Sequence, residues 1–315
     1  AYIFSIAIAV GPASTSAGTI NPQTNPPEDP QYSPEALAAE AQPLSRQLFA
    51  AAPPKTLTDA SSFSSSGRKQ PGGLFGQDIP ISKSLARKGL APQSSPETIL
   101  EAFLDIPYRN DGTIDELGEY TLFAKPEARF SSPGLNCSGL VLSASSFLLG
   151  KNFTLDEAKR DRLGDSGPGS PHGEDWDFGW DLIMNISEGF KRTLLLPGNT
   201  LADPAAATGF SPRGFDIHDD ATWTELPARL RPGYVYLVSL NMDGRRKCYT
   251  MVHYHVGLVH VSASGEAWFY QTTGKGDKSN RRDLKTARGQ ASFKRAFANT
   301  SKNRKMMLVL EVKLP

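Results

Sequence analysis

The spacing of apolar positions changes along the chain from a helical period to a strand period. Three segments, 95–106, 137–149 and 175–192, carry apolar residues on one helical face and predict helices. Four later segments alternate apolar and polar positions with a period near two and predict strands: 233–240, 248–261, 266–273 and 305–314. Helices followed by a run of strands are typical of an α+β fold, with the helices packed on an antiparallel sheet.

The first 95 residues do not show this regularity. Residues 1–17 begin with the apolar stretch AYIFSIAIAV and continue into small residues, which we interpret as the remnant of a secretory signal peptide. An ordinary N-terminal strand is the alternative. Residues 18–95 are rich in proline and serine and predict an extension or linker. The globular domain is therefore predicted to span residues 96–315, and the protein is expected to be secreted or periplasmic.

Composition adds few constraints. The 315 residues are 39% hydrophobic and 21% charged, with a formal net charge of +1, as expected of a soluble globular protein without a general affinity for nucleic acid. Segment 275–305 is an exception, since it holds 11 Lys and Arg residues against two Asp. Such a run usually forms a solvated face, but it also suits contact with an anionic wall polymer or a membrane surface. It lacks the interleaved aromatic residues that stack on nucleic-acid bases.

Cys137 is the residue in the sequence with the clearest chemical potential. It follows the loop FSSPGLN and opens an apolar helix, where unpaired backbone N–H groups favour a thiolate over a thiol. Ser138 and Gly139 are small and would let a substrate carbonyl come close, so that the N–H of Cys137 would donate to an oxyanion. A buried structural thiol and a disulfide with Cys248 are the alternatives.

A base for this thiol is expected on the strand that holds three of the five histidines. His255 is followed by Gly257, which lacks a side chain on the same strand face and is predicted to leave room for a helix end or a substrate. Strict alternation would place His253 on the face of His255 and His260 on the other. His253 and His255 would need a third ligand to bind a metal, so no metal or cofactor is predicted.

Gln271 is the candidate for orienting the imidazole from the next strand. If the hairpin after Val261 has an odd number of loop residues, paired residue numbers sum to an even value, and Gln271 shares a face with His255. An even-length loop would present Thr272 instead. Trp176 lies four residues before Trp180 and is predicted either to fill the core or to line the substrate cleft.

The order NCSGLV, HVGLVH and FYQTTG resembles the NlpC-type cell-wall cysteine peptidases, which have a papain-like core. The similarity covers roughly residues 95–275. It implies Cys137 as nucleophile, His255 as general base and acid, and Gln271 as the orienting residue. It also implies that Tyr108, in IPYRNDG, lines the site. Asn136 stands where that family usually has Asp, which implies a different preference for the amino end of the substrate.

The resemblance implies a hydrolase that cleaves amide bonds in peptidoglycan stem peptides, of the γ-D-glutamyl-diamino acid endopeptidase type. The chain is expected to be a monomer. Two alternatives remain open from the sequence. One is an amidase or acyltransferase of the CHAP type with the same Cys137, His255 and Gln271 triad. The other is a non-catalytic wall-binding module with a Cys137–Cys248 disulfide.

Overall fold

A computed structural model describes residues 79–167, 169–170, 172–244, 250–274, 278–300 and 303–315. The predicted signal remnant and most of the predicted extension lie outside these residues, as does Cys248. The helices of the described part are α1 (Lys83–Arg87), α2 (Pro96–Ala102), α3 (Cys137–Leu149), α4 (Leu155–Lys159), α5 (Phe178–Ile186), α6 (Asp220–Arg229) and α7 (Ala287–Ala296). No helix among them is both long enough and apolar enough to cross a bilayer.

The strands of the described part are β1 (Gly112–Ile114), β2 (Tyr120–Leu122), β3 (Arg192–Leu196), β4 (Asn199–Leu201), β5 (Phe215–Asp216), β6 (Tyr234–Asp243), β7 (Met251–Val261), β8 (Ala267–Gln271), β9 (Asn280–Asp283) and β10 (Lys305–Lys313). β1 and β2 form a small hairpin. The others form an antiparallel sheet in the order β4-β3-β10-β6-β7-β8-β9, with β5 paired to β10. The predicted α+β fold with an antiparallel sheet is confirmed, and the NlpC-type core stays a prediction.

Local capping explains where the two central helices begin. The Ser95 hydroxyl accepts a hydrogen bond from Thr98 N at the start of α2, and Pro96 occupies the first helical turn, as predicted. Asn136 caps α3 in the same way, since its Oδ1 accepts from Gly139 N at 2.8 Å. α3 ends at Gly150, whose φ of 64° suits glycine. The predicted helix at 137–149 is therefore confirmed to the residue.

Both faces of the large sheet are covered. On one face α2, α3 and α5 pack against a cluster that includes Val256 and Leu258, which we call the first core. On the other face α6 and α7 pack against a cluster that includes Leu240 and Phe269, which we call the second core. Strands buried on both faces gain hydrophobic stabilisation from each side, which places β6 and β7 at the centre of the fold.

A β-bulge interrupts the pairing of β6 and β7. Leu240 pairs with His255, but the next residue of β6, Asn241, pairs with His253, so Tyr254 is an extra residue on β7. Tyr254 packs against the second core, the face to which His255 also turns. Two successive residues therefore point to the same side, and strict alternation fails at this place.

The folded part of the chain begins before the predicted boundary at residue 96. Leu85 of α1 is 1% exposed and Leu90 is 4% exposed, and both belong to the first core. The stretch from α1 to α2 is therefore part of the globular domain, and the predicted extension is too long at its C-terminal end. Two buried leucines in a short, otherwise polar segment do not form a repeating pattern, which is why periodicity missed them.

Candidate functional site

Cys137 is the first residue of α3, and its side chain is half-buried. The preceding loop is fixed by backbone contacts, because Leu135 pairs with Tyr108 as an isolated parallel bridge and Asn136 N donates to Gly112 O at 2.9 Å. The backbone of Tyr108 thus lies beside the segment that leads into the helix, and its role in lining the site stays a prediction. The first turn of α3 directs its backbone N–H groups toward the thiol end of the helix, which favours a thiolate.

The small residues after Cys137 serve packing. A Cβ on Gly139 would lie 2.1 Å from Gly112 O, so only glycine allows α3 to approach β1 this closely. Ser138 is 5% exposed. The side chain of Asn136 is 7% exposed and its Oδ1 is occupied by the cap. Asn136 builds the helix start and Ser138 is buried, so their predicted roles at the substrate gain no support here.

His255 and Gln271 are joined as the sequence predicted. β7 ends at Val261 and β8 starts at Ala267, so the hairpin loop has five residues, and Leu258 pairs with Tyr270, an even sum. His255 Nε2 lies 2.9 Å from Gln271 Oε1. The orienting contact predicted from strand register is confirmed.

This contact fixes the protonation pattern of the imidazole. A carbonyl oxygen only accepts, so Nε2 of His255 carries the proton and donates to Gln271, which leaves Nδ1 as the basic nitrogen. Burial lowers the pKa of His255 to about 4, against an opposing effect of the Gln271 hydrogen bond, and the charges of Arg282 and Lys305 lower it further. The ring is neutral at pH 7.

The described contacts of Cys137 and of His255 belong to different cores. Cys137 packs against the first core, which contains Val256, the residue next to His255 on β7. His255 turns the other way, with its ring centroid 5.2 Å from that of Phe297 in the second core. Cys137 is thus described with the first core and His255 with the second, and the contact of Cys137 with His255 in the proposed triad stays a prediction.

The predicted space over His255 is filled. A Cβ on Gly257 would lie 2.4 Å from two ring carbons of Phe269, which occupies the volume that the missing side chain leaves. Gly257 therefore allows an aromatic ring of the second core to pack against β7. The expectation of room there for a helix end or a substrate was wrong.

His253 lies on the opposite face from His255, contrary to the prediction from alternation, because of the bulge at Tyr254. Its Nδ1 lies 2.8 Å from Ser239 Oγ and its Nε2 lies 3.0 Å from Gly209 O. Since a carbonyl only accepts, Nε2 donates to Gly209 and the Ser239 hydroxyl donates to Nδ1. Burial lowers the pKa of this ring to about 4. His253 is a buried structural residue that ties a loop to the sheet.

Trp176 is fully buried, with 0% exposure. Its ring packs edge-on against His172, and its backbone oxygen accepts from His253 N at 2.7 Å. The helix predicted at 175–192 spans only Phe178–Ile186 in the structure, so Trp176 lies just before α5. The predicted substrate contact at Trp176 was wrong, because a residue with no exposed surface cannot form a cleft wall.

Much of the basic segment 275–305 is neutralised within the fold. Four described residues of the segment form ion pairs with carboxylates, namely Lys278 with Asp105, Arg281 with Glu101, Lys294 with Asp220 and Arg304 with Asp216. Lys305 is 4% exposed and lies over the ring of Tyr254. Lys285, Arg288 and Arg295 remain exposed around α7. Contact with an anionic surface stays a prediction that rests on fewer charges than the sequence suggests.

A group of buried aspartates that the sequence pattern did not predict lies around the start of α5. Asp177 is 0% exposed and Asp181 is 3% exposed. Their signal in the sequence is the acidic stretch GEDWDFGWD, whose carboxylates alternate with aromatic residues that require burial. Among the described residues, no group of three or more His, Cys, Asp or Glu side chains is arranged to hold a metal ion.

Comparisons with protein-family models, with curated proteins and with solved structures find no match to this chain.

Proposed function

We propose that the chain is a cysteine-dependent amide hydrolase that acts on peptidoglycan stem peptides, with Cys137 as the nucleophile. The observation that supports this most directly is the place of Cys137, half-buried as the first residue of a thirteen-residue helix with a capped N-terminus. Backbone N–H groups at such a helix end lower the pKa of a thiol and can donate to an oxyanion. The resemblance of the Cys, His and Gln segments to NlpC-type peptidases supplies the substrate class and a site outside the cytoplasm.

The reaction is acyl transfer. The thiolate of Cys137 attacks the amide carbonyl, and the C–N bond breaks as the leaving amine takes up a proton from water. Water then hydrolyses the thioester, which regenerates the thiol and releases the carboxylate. By resemblance, the bond is the γ-D-glutamyl link to the diamino acid. The CHAP-type alternative would instead release the amino group of L-Ala.

The test is digestion of purified peptidoglycan by the full chain, with the new amino groups identified by mass spectrometry. New diamino-acid amines indicate an endopeptidase, and new L-Ala amines indicate an amidase. Cys137→Ala is expected to abolish release. The matched control is Cys248→Ala, which alters the other cysteine and is expected to retain it. Undiminished release by Cys137→Ala with a native circular dichroism spectrum would overturn the proposal.

The role of His255 requires a separate experiment. Because His255 turns to the second core, we expect His255→Asn to leave the rate at which iodoacetamide alkylates Cys137 unchanged in the folded protein. If the variant stays folded but alkylation slows several-fold together with peptide release, His255 acts on the thiol. This result would support the Cys–His–Gln triad.

A non-catalytic wall-binding module is the second candidate, and it is favoured by the packing of Cys137 and His255 against different cores. Such a module would sediment with insoluble peptidoglycan without releasing fragments, and Cys137→Ala would sediment equally well. Thiol titration of the native chain adds a direct check, because a Cys137–Cys248 disulfide predicts no titratable thiol and the hydrolase predicts at least one.

A further inference from the structure

A row of four polar side chains crosses from β7 to β9 on the face of the second core. His255 of β7 lies 2.9 Å from Gln271 Oε1 on β8. Gln271 is paired directly with Asn280 of β9, and its Nε2 donates to Asn280 Oδ1 at 3.4 Å. Arg282 lies two residues further along β9, on the same face, and its Nη1 donates to Asn280 Oδ1 at 3.0 Å. The row therefore connects a guanidinium group to the imidazole through two amides.

The orientation of the Asn280 amide is fixed by two groups that cannot change their hydrogen-bonding role. The guanidinium of Arg282 only donates, so it requires the oxygen of Asn280. The backbone oxygen of Lys278 only accepts and lies 3.0 Å from Asn280 Nδ2, so it requires the amide nitrogen. Arg282 is itself held by α7, because its Nε donates to Ser292 Oγ at 3.2 Å. Turning the Asn280 amide over would set donor against donor and acceptor against acceptor.

The fixed amide of Asn280 in turn orients Gln271. If the Gln271 amide were turned over, its Oε1 would face Asn280 Oδ1, and two acceptors would meet. Gln271 is 1% exposed, so water cannot compensate for the lost hydrogen bond. Gln271 therefore presents its oxygen to His255, which requires the proton of the imidazole on Nε2.

We propose that Asn280 is a positioning residue that fixes the proton of His255 on Nε2 and thereby keeps Nδ1 as the basic nitrogen. Asn280 acts on the imidazole through Gln271. In acyl-transfer enzymes that use an imidazole base, the wrong tautomer lowers the rate by orders of magnitude. The use of Nδ1 in hydrolysis rests on the proposed function, whereas the position of the proton does not.

The test is a proton–nitrogen NMR correlation spectrum of the full chain, labelled with nitrogen-15 histidine, at pH 7. The signals of His255 are assigned by their loss in His255→Asn. Protonated and unprotonated nitrogens of a neutral ring resonate far apart, so the spectrum shows which nitrogen holds the proton. We expect the Nε2–H form in about tenfold excess or more in the native chain. Asn280→Leu removes the acceptor that orients Gln271, and the excess is expected to fall several-fold.

Two control variants separate positioning from a general effect on the strand. Asn280→Asp keeps an acceptor for both Gln271 and Arg282, and we expect it to retain the native Nε2–H signals. Arg281→Leu alters the residue between Asn280 and Arg282. The guanidinium of Arg281 lies over the ring of Trp268, which packs against the first core, so this variant is also expected to retain the native signals.

Three results would overturn the proposal. One is a proton on Nδ1 of His255 in the native chain. Another is a native Nε2–H excess in folded Asn280→Leu, or in Asn280→Ala if the leucine variant does not fold. The third is loss of the Nε2–H form in folded Asn280→Asp.

Peptide release by the same variants separates this proposal from the proposed function. If His255 acts in hydrolysis, kcat of Asn280→Leu is expected to fall in proportion to the Nε2–H fraction, with KM unchanged. Absence of release by the native chain would refute the proposed function. It would not alter the result of the NMR measurement on Asn280.

Discussion

His255 donates a 2.9 Å hydrogen bond from Nε2 to Oε1 of Gln271, across two neighbouring strands and beneath the ring of Phe297. Replacing Gln271 by Leu removes the acceptor and leaves a buried N–H without a partner. We expect a loss of about 1–3 kcal/mol in the free energy of unfolding, measured by urea denaturation. His255→Phe is expected to lower the free energy of unfolding less in the Gln271→Leu background than in the native chain. Additive losses would show that the two side chains are not energetically coupled.

The cap of α3 allows the stability of the helix to be separated from the reactivity of the thiol. Asn136→Ala removes the acceptor for Gly139 N and is expected to cost about 1 kcal/mol of unfolding free energy. Asn136→Asp keeps an acceptor, so its stability is expected to stay near native. Its negative charge next to Cys137 disfavours the thiolate, and we expect alkylation at pH 7 to slow. Equal alkylation rates in the native chain and Asn136→Asp would contradict this expectation.

Gly139 tests the close approach of α3 to β1. In Gly139→Ala the new methyl group would collide with Gly112 O, and we expect a loss of about 1–3 kcal/mol by denaturation, as for other overpacked cores. Ser143→Ala is the matched control in the same helix. The hydroxyl of Ser143 is buried and lacks a hydrogen-bond partner, so its removal is expected to cost nothing. Comparable losses in the two variants would argue against the packing explanation.

Gly257 tests the packing of Phe269 against β7. Gly257→Ala places a methyl group into the Phe269 ring and is expected to destabilise the chain by about 1–3 kcal/mol. In a Phe269→Leu background the same change should cost less, because the smaller side chain leaves space. A cost that is the same in both backgrounds would mean that the ring does not fill the space at Gly257.

The buried histidines make the chain sensitive to acid. Burial lowers the pKa of His253 and of His255 to about 4, below the ordinary value of 6.5, so the folded state binds fewer protons than the unfolded state in that interval. The free energy of unfolding that these neutral rings contribute is complete above pH 6.5. It is lost as pH falls toward 4, by at most about 1.4 kcal/mol per pH unit for each ring. We expect His253→Gln to reduce the pH slope of the unfolding free energy in this window. An unchanged slope would show that His253 is not held neutral.

The sequence was sufficient for the bounds of α3 and for the overall order of helices before the sheet. α3 matched its predicted bounds because a polar cap and a terminal glycine mark both ends of an apolar run. Loop parity limited the partner of His255 to Gln271 or Thr272, and the five-residue loop of the structure selects Gln271. These features depend on local spacing, which the sequence states directly.

The face on which each residue lies was not predictable in the same way. β7 carries apolar residues toward both cores, Val256 and Leu258 on one side and Val259 and Val261 on the other, so its pattern does not show which side α3 covers. The bulge at Tyr254 then reversed the expected relation between His253 and His255. A bulge depends on pairing with β6 and leaves no mark in the period of a single strand.

The bulge has a consequence for how the molecule comes apart. Because Tyr254 is an extra residue, two imidazoles that are two positions apart in the chain reach opposite layers of the domain, and both must remain uncharged for their layer to stay packed. Protonation would therefore weaken both layers over one pH interval, through one shared strand. Acid unfolding of the described domain is expected to be a single cooperative transition, in which both layers unfold at the same pH.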